Sequence, residues 1–147
     1  MDAVALIRAG ADVIRTYGFT WGTRVNHEGV CALGALDVAS GQLVIDVTER
    51  RHLRRGEYAA PVALDAYMVA VEALSATAGE VTESDRFNAQ HDIKQFATAG
   101  PVNRVAWYSN THTKEQVLEW FEDAAIWLEM QQTPKKVTEL VKELVTV

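Results

Sequence analysis

The chain has 147 residues but one cysteine, three prolines and no long apolar run. Cys31 alone cannot form an internal disulfide. The opening Met-Asp-Ala-Val-Ala lacks the basic segment and cleavage signal of a secretory leader, so the expected setting is a reducing cytoplasm. No stretch approaches the roughly 18 apolar residues that span a bilayer, which argues against a membrane-embedded role. Basic charge is scarce as well. Fourteen Lys and Arg against twenty Asp and Glu leave a net charge of -6, which repels a phosphate backbone on average. Nucleic acid is therefore not the default partner. Site motifs are missing too. His27, His52, His91 and His112 are scattered, with no His-x-x-x-His or Cys-x-x-Cys pair, and Gly29, Gly34 and Gly41 do not form a phosphate loop. No metal and no cofactor is expected.

What is present is a globular composition, 48% hydrophobic and 23% charged, in a chain about one domain long. A single helical domain over residues 1–147 is the expectation. Its centre is read from Val30 to Ala39, where Asp37 is the only charge. A helix apolar on every side has no solvent face and belongs inside a packed core. The small residues Cys31, Ala32, Gly34, Ala35 and Ala39 let other helices approach it closely.

The segments around it carry helical periodicity. Ala3, Leu6, Ile7, Gly10, Val13, Ile14 and Tyr17 follow i, i+3, i+4 spacing, with Gly18 placed to end the helix in a left-handed conformation and Phe19 to pack back on Ile14. Gly10, on the apolar face, suggests close contact with the central helix. Trp21 is read as an anchor sealing the loop from Thr20 to Gly29 over the core, with Asn26 or Glu28 as cap of the central helix. Residues 43 to 47 are short and β-branched, which favours a strand. Pro61 suits the first turn of an almost wholly apolar helix from Val62 to Ala78, with a narrow wet stripe and Gly79 as its stop. A weaker helix is expected from Thr82 or Ser84 to Ala99, stopped by Gly100-Pro101, and then an extended connection from Val102 to His112. Thr113 with Gln116 reads as a capping box. It opens a helix that turns Val117, Phe121, Ala124, Ala125 and Leu128 inward, with Trp120 and Trp127 as a flanking stripe. Thr133 and Pro134 then start a short last helix with Val137, Leu140, Val141, Leu144 and Val145 on one side. The sum is an all-α orthogonal bundle of about six helices around the buried helix 30–40, with room for a minor two-strand element from residues 43 to 47 and 102 to 107.

Trp21-Gly22-Thr23, then Val30-Cys31-Ala32-Leu33-Gly34-Ala35-Leu36 and Ala39, then Val105-Ala106-Trp107-Tyr108-Ser109-Asn110 and Thr113, together resemble a family of small uncharacterised proteins from actinobacteria and their phages. The likeness spans roughly residues 3 to 128. It departs from the family pattern where Tyr108-Ser109 separates Trp107 from Asn110 and no Asp follows. The resemblance implies a bacterial or phage-infected cytoplasm and no reaction.

Three functional readings follow. The leading one is a non-enzymatic protein-interaction module, bacterial or phage-encoded, that acts on a bacterial protein partner or as a homo-oligomer. Its candidate contacts are the stripe containing Leu140 and Leu144 and the cluster Arg50, Arg51, Arg54 and Arg55. That cluster can grip an acidic surface or pair with this chain's own acids, since the remaining residues carry -10 once these four are taken from -6. The second is a cysteine-dependent hydrolase: Cys31 lies near a helix N-terminus, where a thiol pKa can fall, with His27 four residues upstream. A lone cysteine in an apolar helix more often acts as a small buried hydrophobe. The third is a nucleic-acid accessory protein using the four arginines, although no aromatics interleave with them.

Overall fold

A computed structural model describes residues 1–46, 51–54, 64–81 and 96–145. Five helices and two short antiparallel hairpins are seen there, so the chain is mostly helical. α1 (Ala3–Tyr17) runs as its periodicity predicts. Asp2 caps it by accepting the Ala5 amide at 2.8 Å, and Leu6, Ile7, Gly10 and Ile14 are buried. Gly18 ends it with φ +99° but ψ -179°, so the stop has a positive φ and an extended ψ, not a left-handed helical turn. A Cβ on Gly10 would stand 3.0 Å from the Phe121 ring and 3.3 Å from Leu36. The missing side chain thus lets α1 close on two helices at once, not on the central helix alone.

The loop after α1 folds as a hairpin, β1 (Val25–Asn26) with β2 (Gly29–Val30), in the register Val25↔Val30 and Asn26↔Gly29. This shortens the central helix, which is α2 (Ala32–Ala39) and not 30–39. The reason is backbone pairing. Val30 donates to the Gly18 carbonyl and accepts from the Thr20 amide, and the Cys31 amide donates to the Arg24 carbonyl, so these residues are committed before the helix begins. α2 is otherwise as expected: every residue from Ala32 to Asp37 is buried. Neither expected cap serves it. Asn26 instead bonds Thr20 and Glu28.

β3 (Leu43–Asp46) is the predicted strand, but its partner is β4 (Arg51–Arg54), with Leu43↔Arg54 and Asp46↔Arg51 in register. Residues 102 to 107, the expected partner, lie inside α4 (Pro101–Thr111). Gly100-Pro101 is a helix start as well as the expected stop: the helical residues Phe96 and Ala97 end in a turn before it, Gly100 is the N-cap of α4 and Pro101 takes the first turn, where a missing N–H costs nothing. α3 (Leu64–Thr77) is followed by Gly79 at φ +77°, as expected. Its wet side is broader than expected, since Met68 and Val69 are exposed alongside Asp65 and Glu72. The start at Pro61 and most of the helix from Thr82 to Ala99 lie outside the described residues.

The last helix is the largest correction. Thr113 and Gln116 form the predicted capping box, with reciprocal bonds of 2.9 and 3.2 Å. The helix it opens, α5 (Lys114–Val145), then continues for 32 residues straight through Pro134. An interior proline removes one backbone bond and costs roughly 3 kcal/mol, yet strong helix formers on both sides carry the turn across it. Thr133 and Thr138 also donate their hydroxyls back to the Glu129 and Pro134 carbonyls. Two expected helices are therefore one, α4 replaces the expected extended connection, and the described residues hold five helices. One buried cluster joins α1, α2, α3, α4 and the first half of α5.

Candidate functional site

Three places concentrate chemistry. The first is the only charge of α2. Asp37 is buried, and its two carboxylate oxygens are both used: Arg24 donates to one at 2.5 Å and the Tyr67 hydroxyl to the other at 2.8 Å. Burial alone would lower the Arg24 pKa, but the hydrogen bond and charge of Asp37 outweigh it and raise the value. Burial, followed by the Asp37 charge, pushes the Tyr67 hydroxyl up. Arg24 stays charged and Tyr67 stays protonated near neutrality, and both are tied to Asp37, so this is a closed structural cluster. Sequence reasoning missed Arg24 and Tyr67. The signal was there in Asp37 itself, because a carboxylate inside a core helix requires a cation.

The second is the start of α2. Cys31 is its N-cap, with the thiol Sγ accepting the Gly34 amide at 3.5 Å. Ser109 on α4 accepts the Ala32 amide at 2.9 Å. Burial pushes the Cys31 thiol pKa up, and the Gly34 and Leu33 amides only partly offset it. A nucleophile needs the opposite. His27 is exposed and lies 3.9 Å from Glu28. Nearby, Trp21 donates its indole N–H to the His112 carbonyl at 3.0 Å, and Asn110 accepts the Gly22 amide at 2.7 Å. Trp21 does tie the loop down, but as a 40% exposed ring edged against Phe19, and not as a buried seal. Among the described residues no buried side-chain nitrogen or oxygen lacks a partner, and no three His, Cys, Asp or Glu stand where they could hold one metal ion.

Of the arginine cluster, Arg51 and Arg54 begin and end β4, which lies against β1. Arg50 and Arg55 lie outside the described residues. Arginines that the sequence did not single out flank a cleft of about 210 Å³ between α1 and α5. Arg8 there pairs with Glu122 and Glu129, and Arg15 with Asp12, so its positive charge is already matched.

The third place is the outer face of α5. Its inner face is filled by Val117, Trp120, Phe121, Ala124, Ala125 and Leu128, all buried. Trp120 donates to the Leu74 carbonyl, so the two tryptophans expected to flank together separate, one inside and Trp127 outside. From Ile126 onward the exposed side chains Ile126, Trp127, Met130, Val137, Leu140, Val141, Leu144 and Val145 form one stripe. Ile126 and Leu128 are about 200° apart around the helix at 3.6 residues per turn. The stripe thus begins on the side that faces away from the core. Leu140 and Leu144 sit in it, Leu144 at 78% exposure. This segment does not fold back on Trp120 and Trp127, because no turn interrupts the helix. Among the described residues no helix is long and apolar enough to cross a membrane.

The chain belongs to a family of unknown function, DUF6197, whose model matches residues 1–126. No curated protein and no solved structure matches it. The family match stops where the exposed stripe begins.

Proposed function

We propose that this protein is a single-domain, non-enzymatic protein-interaction module whose docking element is the second half of α5, working in the cytoplasm of a bacterial or phage-infected cell. One observation carries this reading. An apolar stripe from Ile126 to Val145 stands in water on a helix whose first half, up to Leu128, closes the core. Isolated helical segments of this length are marginal in water, and contiguous exposed apolar surface of this size marks an interaction site. Docking an amphipathic helix face is a recurrent mode of protein recognition. The cytoplasmic and phage settings rest on the lone cysteine and on the sequence resemblance.

The other two readings have less support. A Cys31 hydrolase would need an accessible thiol of lowered pKa, whereas Cys31 is buried and its pKa is raised. The nucleic-acid reading rests on an arginine cluster of which only Arg51 and Arg54 are described, in a chain of net charge -6.

The test compares the wild type with Leu140→Glu/Leu144→Glu. Loss of self-association by light scattering, or loss of a bacterial protein captured by the wild type, with an unchanged melting temperature, is the expected result. A wild type that stays monomeric and captures nothing, or a double variant whose melting temperature collapses, contradicts the reading.

A further inference from the structure

Resting on that reading, we infer that the occupant of the α5 stripe is the same stripe of a second copy, lying antiparallel to it. Size is the first argument. With Met130 at 67% and Leu144 at 78% exposure, the stripe offers on the order of 800 Å² of apolar side chain, which is what each partner buries in an interface of standard size, roughly 800 Å². Spacing is the second. Trp127, Met130, Pro134, Val137, Val141 and Leu144 alternate steps of three and four, the seam by which one helix packs along a like helix.

Charge sets the direction. Going toward the N-terminus, the line of the stripe continues through Asp123, Glu119 and Glu115, all exposed and at i, i-4 and i-8. Two copies aligned in parallel would set these carboxylates against their own counterparts, and like charges facing each other oppose pairing. An antiparallel pair avoids this. With Trp127 opposite Leu144, Met130 opposite Val141 and Pro134 opposite Val137, the overlap runs from Ile126 to Val145 and stops short of Asp123. Opposed helix dipoles favour the same choice. The two cores, where most of the negative charge lies, are then held at opposite ends of the paired helices.

Disulfide trapping in the full chain tests both the partner and the direction. In the antiparallel pair the two copies of residue 144 are about 25 Å apart along the axis, from 17 residues at 1.5 Å each. Met130→Cys mixed with Val141→Cys should give a covalent dimer under mild oxidation in high yield, while Leu144→Cys alone should give almost none. Efficient self-linking of Leu144→Cys would overturn the antiparallel pair in favour of a parallel one. A wild type that sediments as a monomer up to its solubility limit would overturn self-pairing altogether. The interaction reading then stands or falls separately, on whether a bacterial protein is captured by the wild type and not by Leu140→Glu/Leu144→Glu. Sedimentation of each singly substituted chain under reducing conditions, compared with the wild type, shows whether the substitution itself has broken the association, and Trp127→Cys mixed with Leu144→Cys provides a second pair at the same register.

Discussion

In α1, Leu6, Ile7 and Ile14 have no exposed surface, while in the second half of α5 Val137, Leu140, Val141 and Leu144 are each more than half exposed, although both helices repeat the same i, i+3, i+4 spacing. The difference lies in what surrounds them. α1 is enclosed by α2, α3 and α5, with Gly10 admitting Leu36 and Phe121 to its surface. The second half of α5 has left the core behind. The polar groups follow the same division. In the core Asp37, Ser109 and the Trp120 indole are each hydrogen-bonded, whereas the late α5 residues Lys135, Lys136 and Glu139 stand exposed. Periodicity reports that a face is apolar and leaves open whether the cover comes from the same chain.

The sharpest way to break the enclosed region is Gly34→Ala. A Cβ at Gly34 would overlap the Arg24 carbonyl, which is backbone and held by the Cys31 amide, so the neighbour cannot rotate away. A loss of about 3 kcal/mol or more is expected, beyond ordinary overpacking, and read as a lower denaturant midpoint. Next is Arg24→Ala, which strands the buried Asp37 carboxylate with Tyr67 as its remaining side-chain partner. Because the Arg24 side chain is about half exposed, the expected cost is discounted to about 2 kcal/mol. A smaller cost, about 1 kcal/mol, is expected for Cys31→Ala, which removes little volume and a weak cap. In the native protein the Cys31 thiol should react with a thiol probe only as fast as the core opens, and rapid labelling at neutral pH would instead show an accessible, activated thiol. The smallest effect belongs to the other region. At concentrations too low for association, Leu140→Glu/Leu144→Glu should change stability by less than about 0.5 kcal/mol, the range of surface substitutions.

Much of the enclosed region was legible in the residues. Ala3 to Tyr17 reads as a helix stopped at Gly18, Thr113 with Gln116 as a capping box, and the unbroken apolarity from Val30 to Leu36 as a core helix. What could not be read depended on contacts distant in sequence. Val30 looks helical until its backbone pairs with Gly18 and Thr20, and Gly100-Pro101 reads as a stop without showing that it also starts α4, which packs on α3. Pro134 has the same ambiguity, since proline suits a first turn and is tolerated inside a long helix. That one residue decided whether the stripe holding Leu140 and Leu144 folds home or projects. Ser109 and Tyr67 gave no local sign of their roles, because their partners Ala32 and Asp37 are 77 and 30 residues away.

The most direct test of the central claim is amide hydrogen exchange of residues 132–145 followed over protein concentration. The account predicts fast exchange in dilute protein, protection that rises with concentration, and no change in the amides of α1 and α2. Protection equal to that of the core at every dilution would contradict it, because the stripe would then be covered by its own chain.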